Sequence, residues 1–135
     1  MQRLKKYKHK LIFVVKRANK KSPVNVTSID IHHDNKIESF RYDGLYNANG
    51  GAAFYPVGTP PNSSEGQQIV WCDEGNLVDP SQLVLVDPAK NTSRVILNNF
   101  LGRNYSSIND IEQNPYTGDL WYVGTTALLT PCLPT

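Results

Sequence analysis

Almost nothing in this chain of 135 residues recurs every three to four positions, so amphipathic helices, and the fold classes built on them, have no support. Long apolar runs are also missing, and none approaches the roughly 20 residues of a membrane-spanning helix. Cysteine is scarce. Cys72 and Cys132 are the only two, without a CxxC pair or zinc spacing, and both read as unpaired structural thiols. A G-x-S-x-G elbow, a placeable Ser/His/Asp set and a Gly-rich phosphate loop are absent as well. A hydrolase built on this sequence is left with a metal route. Acidic residues are missing from positions 1–22, which hold nine of the 14 Lys/Arg. Residues 23–135 then carry five basic residues against all 12 acids, a net of −7. An acidic body suits cations better than nucleic-acid phosphates. No nucleic-acid partner and no membrane span are expected.

Residues 1–22 form a basic N-terminal segment of uncertain status. Its apolar core, Leu11-Ile12-Phe13-Val14-Val15, falls short of the about 7–15 residues of a secretory h-region, so a signal peptide is not evident. The segment reads as a β-strand with solvated lysines, as a basic arm for polyanions, or as a misplaced gene start. Four N-x-[ST] sequons, at Asn25, Asn62, Asn91 and Asn104, are candidate glycan sites and point towards a secreted ancestor.

What is present is the pattern of an all-β protein. Short runs rich in Val, Ile, Tyr and Trp alternate with Gly/Pro/Asn/Asp/Ser clusters. Val26 to Ile31 and Lys36 to Arg41 alternate apolar and polar around a turn at His32-His33-Asp34-Asn35, which predicts a hairpin. Gln82 to Val86 and Ser93 to Leu97 repeat the plan around Asp87-Pro88-Ala89-Lys90-Asn91, with Pro88 suited to the second position of a type I turn. Gln68 to Cys72 and Asp119 to Val123 are nearly continuous in apolar character, as strands buried on both faces are. Trp71 and Trp121 lie 50 positions apart, and Ile29 and Leu83 lie 54 apart. Four-stranded propeller blades recur at about 40–50 residues, and Tyr55 to Gln67 reads as a loop insertion. The expectation is a partial β-propeller of about two to three blades over residues 23–122, with an atypical tail over 123–135. A small sandwich is the rival architecture.

Three polar clusters adjoin innermost-type strands: Asn49-Gly50-Gly51, Asp73-Glu74-Gly75-Asn76 and Asn109-Asp110. Calcium takes six to eight oxygen ligands, and neutral Asn oxygens leave it strongly Lewis-acidic towards a carbonyl. Asn109 and Asp110 are candidate metal ligands, with an Asx-turn as the bland alternative. Glu74 is a candidate general base, outer-shell metal ligand or substrate contact, or else an exposed turn acid. Asn49 is a weak substrate-binding candidate, while Asn49-Gly50-Gly51 most simply supplies a tight turn. His32-His33 reads as a solvated turn, and His9 receives no role.

The runs Leu97 to Arg103, Ser107-Ile108-Asn109-Asp110-Ile111 and Pro115-Tyr116-Thr117-Gly118-Asp119-Leu120-Trp121-Tyr122 resemble the gluconolactonase / senescence-marker-protein / luciferin-regenerating-enzyme family, in particular its fungal-type secreted lactonases. Ala48 to Gly51 and Val70 to Asn76 fit the same type, and the similarity covers roughly residues 35–122. The resemblance implies a six-bladed propeller with calcium or another divalent cation in its tunnel. It also implies hydrolysis of small lactones or esters, and secretion. It places Asn109 on the cation or, as in sugar-lactonase members, against substrate, and Asp110, more loosely, on a second calcium. The family's ligands from later blades are absent here, and after Tyr122 the chain departs from the family pattern. The expectation is therefore a fragment of a calcium-dependent lactonase/esterase, inactive or nearly so alone. The alternative is a non-catalytic binding or scaffold module completed by self-association through exposed strand edges.

Overall fold

The computed structural model describes residues 10–15, 24–31, 34–56, 68–76 and 78–125. His9, the predicted turn at His32-His33, most of the insertion (57–67, with Asn62), Cys132 and the end of the tail lie outside the described residues. Among the described residues every regular element is a strand, and the architecture is all-β.

The first sheet is β1 (Lys10–Val15), β2 (Asn25–Asp30) and β3 (Lys36–Arg41), antiparallel in that order. β1 pairs with β2 from Lys10↔Asp30 to Val15↔Asn25, so part of the basic segment is a strand. Asp34 and Asn35 turn the chain at φ 51° and 53°, the left-handed region that short Asx side chains tolerate.

The second sheet is a four-stranded antiparallel meander of β4 (Ala48–Phe54), β5 (Gln68–Asp73), β6 (Gln82–Asp87) and β7 (Thr92–Leu97). Its last turn follows the sequence expectation. The Asp87 carboxylate accepts from the Ala89 and Lys90 amides at 3.0 and 3.2 Å and pairs with Lys90 Nζ at 3.2 Å. Asn91 closes the turn at φ 54°. A short ribbon, β8 (Asn99–Phe100) with β9 (Arg103–Asn104), leads to the third sheet, β10 (Ser107–Gln113) paired with β11 (Leu120–Thr125).

These sheets pack face to face, and the alternation of β5 and β6 explains how. Trp71, Val84 and Val86 project from one face of the second sheet and meet Val24, Val26, Tyr42, Leu45 and Ala48. Val70, Cys72, Leu83 and Leu85 project from the other and meet Ile108 and Ile111 of β10. Period-two alternation sends neighbouring side chains to opposite faces. With apolar groups on both, the second sheet becomes a middle layer, and its two central strands are buried except at Gln68, Ile69 and Asp87, which are half-buried. Full burial of a side chain such as Ile108, 0 % exposed, contributes about 1.5–3 kcal/mol.

Two expectations need correction here. Asn49-Gly50-Gly51 is not a tight turn but lies within β4, where the register with β5 shifts between Ala48 and Gly51. The glycines are there for room. A Cβ on Gly51 would stand 2.5 Å from Trp71 Cε3, and one on Gly50 would stand 2.6 Å from the Asn109 carbonyl oxygen. β11, in turn, is not buried on both faces. Leu120 and Tyr122 pack inward, whereas Trp121 and Val123 are 69 % and 66 % exposed, because no fourth layer covers them among the described residues.

Candidate functional site

The second and third sheets meet most closely where Gly50 passes β10. The missing side chain lets the Asn109 and Asp110 backbone lie against β4, and Asp110 Oδ1 would be 2.7 Å from a Cβ at Gly50. Five residues on, Gln113 side-chain Oε1 accepts from the Tyr55 amide at 2.8 Å, and its Nε2 donates to the Tyr55 carbonyl at 2.9 Å. β4 and β10 therefore run side by side in the same direction, pinned at both ends. Ser81 adds a third tie, its hydroxyl donating to the carbonyls of Glu74 and Ser106 at 3.3 and 3.1 Å.

Around Gly50 stand the residues that the sequence singled out. Asn109 is the odd residue of a β-bulge: Ile108 pairs with Gly124 and Asp110 with Val123, leaving Asn109 without a counterpart. Bulges re-aim side chains and recur beside functional sites. Asn109 and Asp110 are both exposed, and Asp110 Oδ1 accepts from the Ile111 amide at 2.9 Å. Glu74 leaves β5 half-buried. Its two carboxylate oxygens accept from Asn49 Nδ2 and Asn47 Nδ2, and its amide donates to the Asn47 carbonyl at 3.0 Å. Glu74 is thus no loose turn acid. It is clamped between two side-chain amides, and the geometry brings Asn49, Glu74, Asn109 and Asp110 into one neighbourhood.

Asn47 escaped the sequence reading, and Asp73 entered it only as a member of its cluster, without a role. Asn47 is 7 % exposed and supplies one arm of the clamp. The i, i+2 spacing of Asn47 and Asn49 was the available signal, since it places both on one side of an extended chain. Asp73 is 0 % exposed. Its carboxylate accepts from the Asn47 and Tyr46 amides at 2.5 and 3.2 Å and from Gln82 Nε2 at 3.1 Å. Gln82 Nε2 also reaches the Gly44 carbonyl at 3.1 Å. Asp73 thereby fixes the 42–47 loop on which the Asn47 amide depends. Burial pushes its pKa above the ordinary carboxylate value, against the lowering effect of the Asn47, Gln82, Tyr46 and Gly75 hydrogen bonds. Beneath the site lies Cys72, a buried free thiol, whose pKa is pushed up to about 12 by burial and then by the Asp110 charge.

The remaining residues of the second cluster have a structural part. Gly75 turns at φ 72° where a Cβ would run into the Asp79 and Pro80 carbonyls. Asn76 closes the following loop, its Oδ1 accepting from the Val78 and Asp79 amides at 2.6 and 2.8 Å. The sequon asparagines lie apart from the site. Asn25 is in β2 and accepts from Arg41 Nε at 2.7 Å, Asn91 is exposed in its turn, and Asn104 is exposed in β9.

Chemically, the neighbourhood offers amide and carboxylate oxygens. Among the described residues no group of three or more His, Cys, Asp or Glu comes together. Exposed amide and carboxylate oxygens are the donor type that a hard cation such as calcium takes. No protein-family model, curated protein or solved structure matches the chain.

Proposed function

We infer that the chain is a piece of a calcium-dependent lactonase or carboxylic-ester hydrolase of the gluconolactonase type, its three packed sheets being successive blades of a partial β-propeller. One observation carries this reading: the Asn109 bulge of the third sheet is brought, through Gly50, beside the Asn49–Glu74–Asn47 clamp of the second. Innermost strands of neighbouring blades approach one another in this way at a propeller's channel.

In this reading Asn109 holds the cation, with Asp110 as its neighbour. Glu74 and its amide partners orient the wall that a small lactone or ester would meet. Both Glu74 oxygens are engaged by amides, which suits a positioning part better than metal ligation. When bound, calcium supplies Lewis acidity that polarises a carbonyl and stabilises an oxyanion. Asn109 contributes a neutral oxygen that leaves the cation's charge undiminished, and the clamp holds its own dipoles fixed, so that little reorganisation is needed as charge develops. The family's secretion and its glycan attachment at sequons belong to the same proposal.

Nuclear magnetic resonance tests it. Titrating calcium into the chain is expected to shift the Asn109 side-chain amide resonance, and Asn109→Ala is expected to abolish the metal response. An Asn109 resonance indifferent to calcium overturns the assignment. Two or three protein oxygens fall well short of the six to eight that calcium takes. The 135-residue chain alone is therefore expected to turn over little or no lactone, and robust calcium-dependent hydrolysis by it would contradict that expectation.

A further inference from the structure

Among the described residues two faces of the stack are open, and they differ in character. On the third sheet, Glu112 is opposite Trp121, on the side turned away from Ile108 and Ile111. Trp121 and Val123 there are 69 % and 66 % exposed. On the first sheet, Ile29 is opposite Ile37 and Asn25 opposite Arg41, on the side turned away from Val26 and Phe40. Ile37 is 64 % exposed, and Arg41 is held across the strands by its 2.7 Å bond to Asn25.

The β10–β11 face sets Trp121 and Val123 beside the carboxylates of Asp110 and Glu112, and the β2–β3 face sets Ile29 and Ile37 beside the hydroxyl pair Thr27–Ser39 and the Arg41 guanidinium. Neither face complements itself, because a self-contact would bring Glu112 near Glu112 or Arg41 near Arg41. Each complements the other. We propose that the open face of β10–β11 docks on the open face of β2–β3 in a second copy of this chain, head to tail. Trp121 and Val123 pack on Ile29 and Ile37, and Glu112 meets Arg41 at the rim. The contact extends between copies the sheet-on-sheet packing that already joins the layers within one copy. It also covers an exposed aromatic and aliphatic surface that water penalises. It uses none of the clamp residues Asn47, Asn49 and Glu74, although Asp110 stands on the same face opposite Val123.

Light scattering on the full chain tests the proposal. The wild type is expected to run heavier than 15.1 kDa. Trp121→Lys and Ile37→Lys, both at exposed positions, are each expected to return it to the mass of one chain with an unchanged circular dichroism spectrum. Mixing the two variants is then expected to restore a species of twice that mass, since each retains the face that the other has lost, as a heterologous contact requires. Glu112→Arg is expected to weaken association about tenfold, or 1.4 kcal/mol, and adding Arg41→Glu to the same chain to recover it. A wild type that stays at one chain's mass overturns the proposal. So does association indifferent to both lysine substitutions, or a mixture of variants that remains monomeric.

Discussion

Asp73 shows how much rests on one side chain. Four donors converge on its buried carboxylate, and Asp73→Asn turns an amide N–H towards at least one of them. A donor left unsatisfied costs about 1–3 kcal/mol, which chemical denaturation at neutral pH would measure. The pH dependence has a definite sign. The folded pKa lies above the ordinary 3.8, so the folded state holds a proton that the unfolded chain has already released. The stability contributed by protonated Asp73 is fully present below 3.8 and is lost as pH rises through the folded value. Wild type and Asp73→Asn should therefore differ in the slope of stability against pH just above 3.8, and equal slopes would remove this account. Cys72 gives a second expectation. In a Cys132→Ser variant, a thiol reagent at pH 8 should label Cys72 only as fast as the protein unfolds, because a thiol titrating at about 12 and fully buried offers no thiolate. Ser28 gives a third. Its hydroxyl is buried between the first and second sheets and, like Trp71 Nε1, has no hydrogen-bond partner. Ser28→Ala removes that unsatisfied group and should raise stability by about 1 kcal/mol, readable as a higher denaturation midpoint.

Strands were the most legible elements. Alternation at Val26 to Ile31 and the continuous apolar run at Gln68 to Cys72 reflect burial on one face and on two, and both patterns are properties of the segment itself. Gly50 and Gly51 were not legible, because what they accommodate is supplied by distant chain. Trp71 and the Asn109–Asp110 backbone occupy the space that their side chains would take, and a pair of glycines beside an asparagine has the composition of a turn. Asn47 was overlooked for a similar reason: its importance comes from Glu74, 27 residues away. Trp121 illustrates the converse. Its run has the apolar texture of a central strand, yet burial needs a neighbouring layer as well as a texture. The glycines yield a direct test. Gly51→Ala sets a methyl against the Trp71 ring and should cost about 1–3 kcal/mol through overpacking, whereas Gly102→Ala has open space but a strained φ of 78°. A Gly51→Ala protein as stable as the wild type would show that the Trp71 ring can yield.

At the scale of the molecule, the middle layer should be the most protected. β5 and β6 are covered on both faces, so their amides are expected to exchange with solvent last, near the global unfolding limit, while β11 and the β8–β9 ribbon exchange earlier. Hydrogen exchange read residue by residue would refute this if β11 were as slow as β6. The meander has one more consequence, which concerns the order of events in time. Its β6–β7 turn closes over four residues, Pro88 to Asn91, whereas β4 and β5 are joined by the 13 residues from Tyr55 to Gln67. Closing the longer loop carries the larger entropic penalty, so the sheet zips from its β6–β7 hairpin backwards. Synthesis runs in the opposite direction. The first sheet leaves the ribosome with Val24 and Val26 uncovered and must wait for Trp71, Val84 and Val86 to emerge. During that interval the nascent chain exposes apolar surface that the finished protein buries, which makes it the more aggregation-prone form.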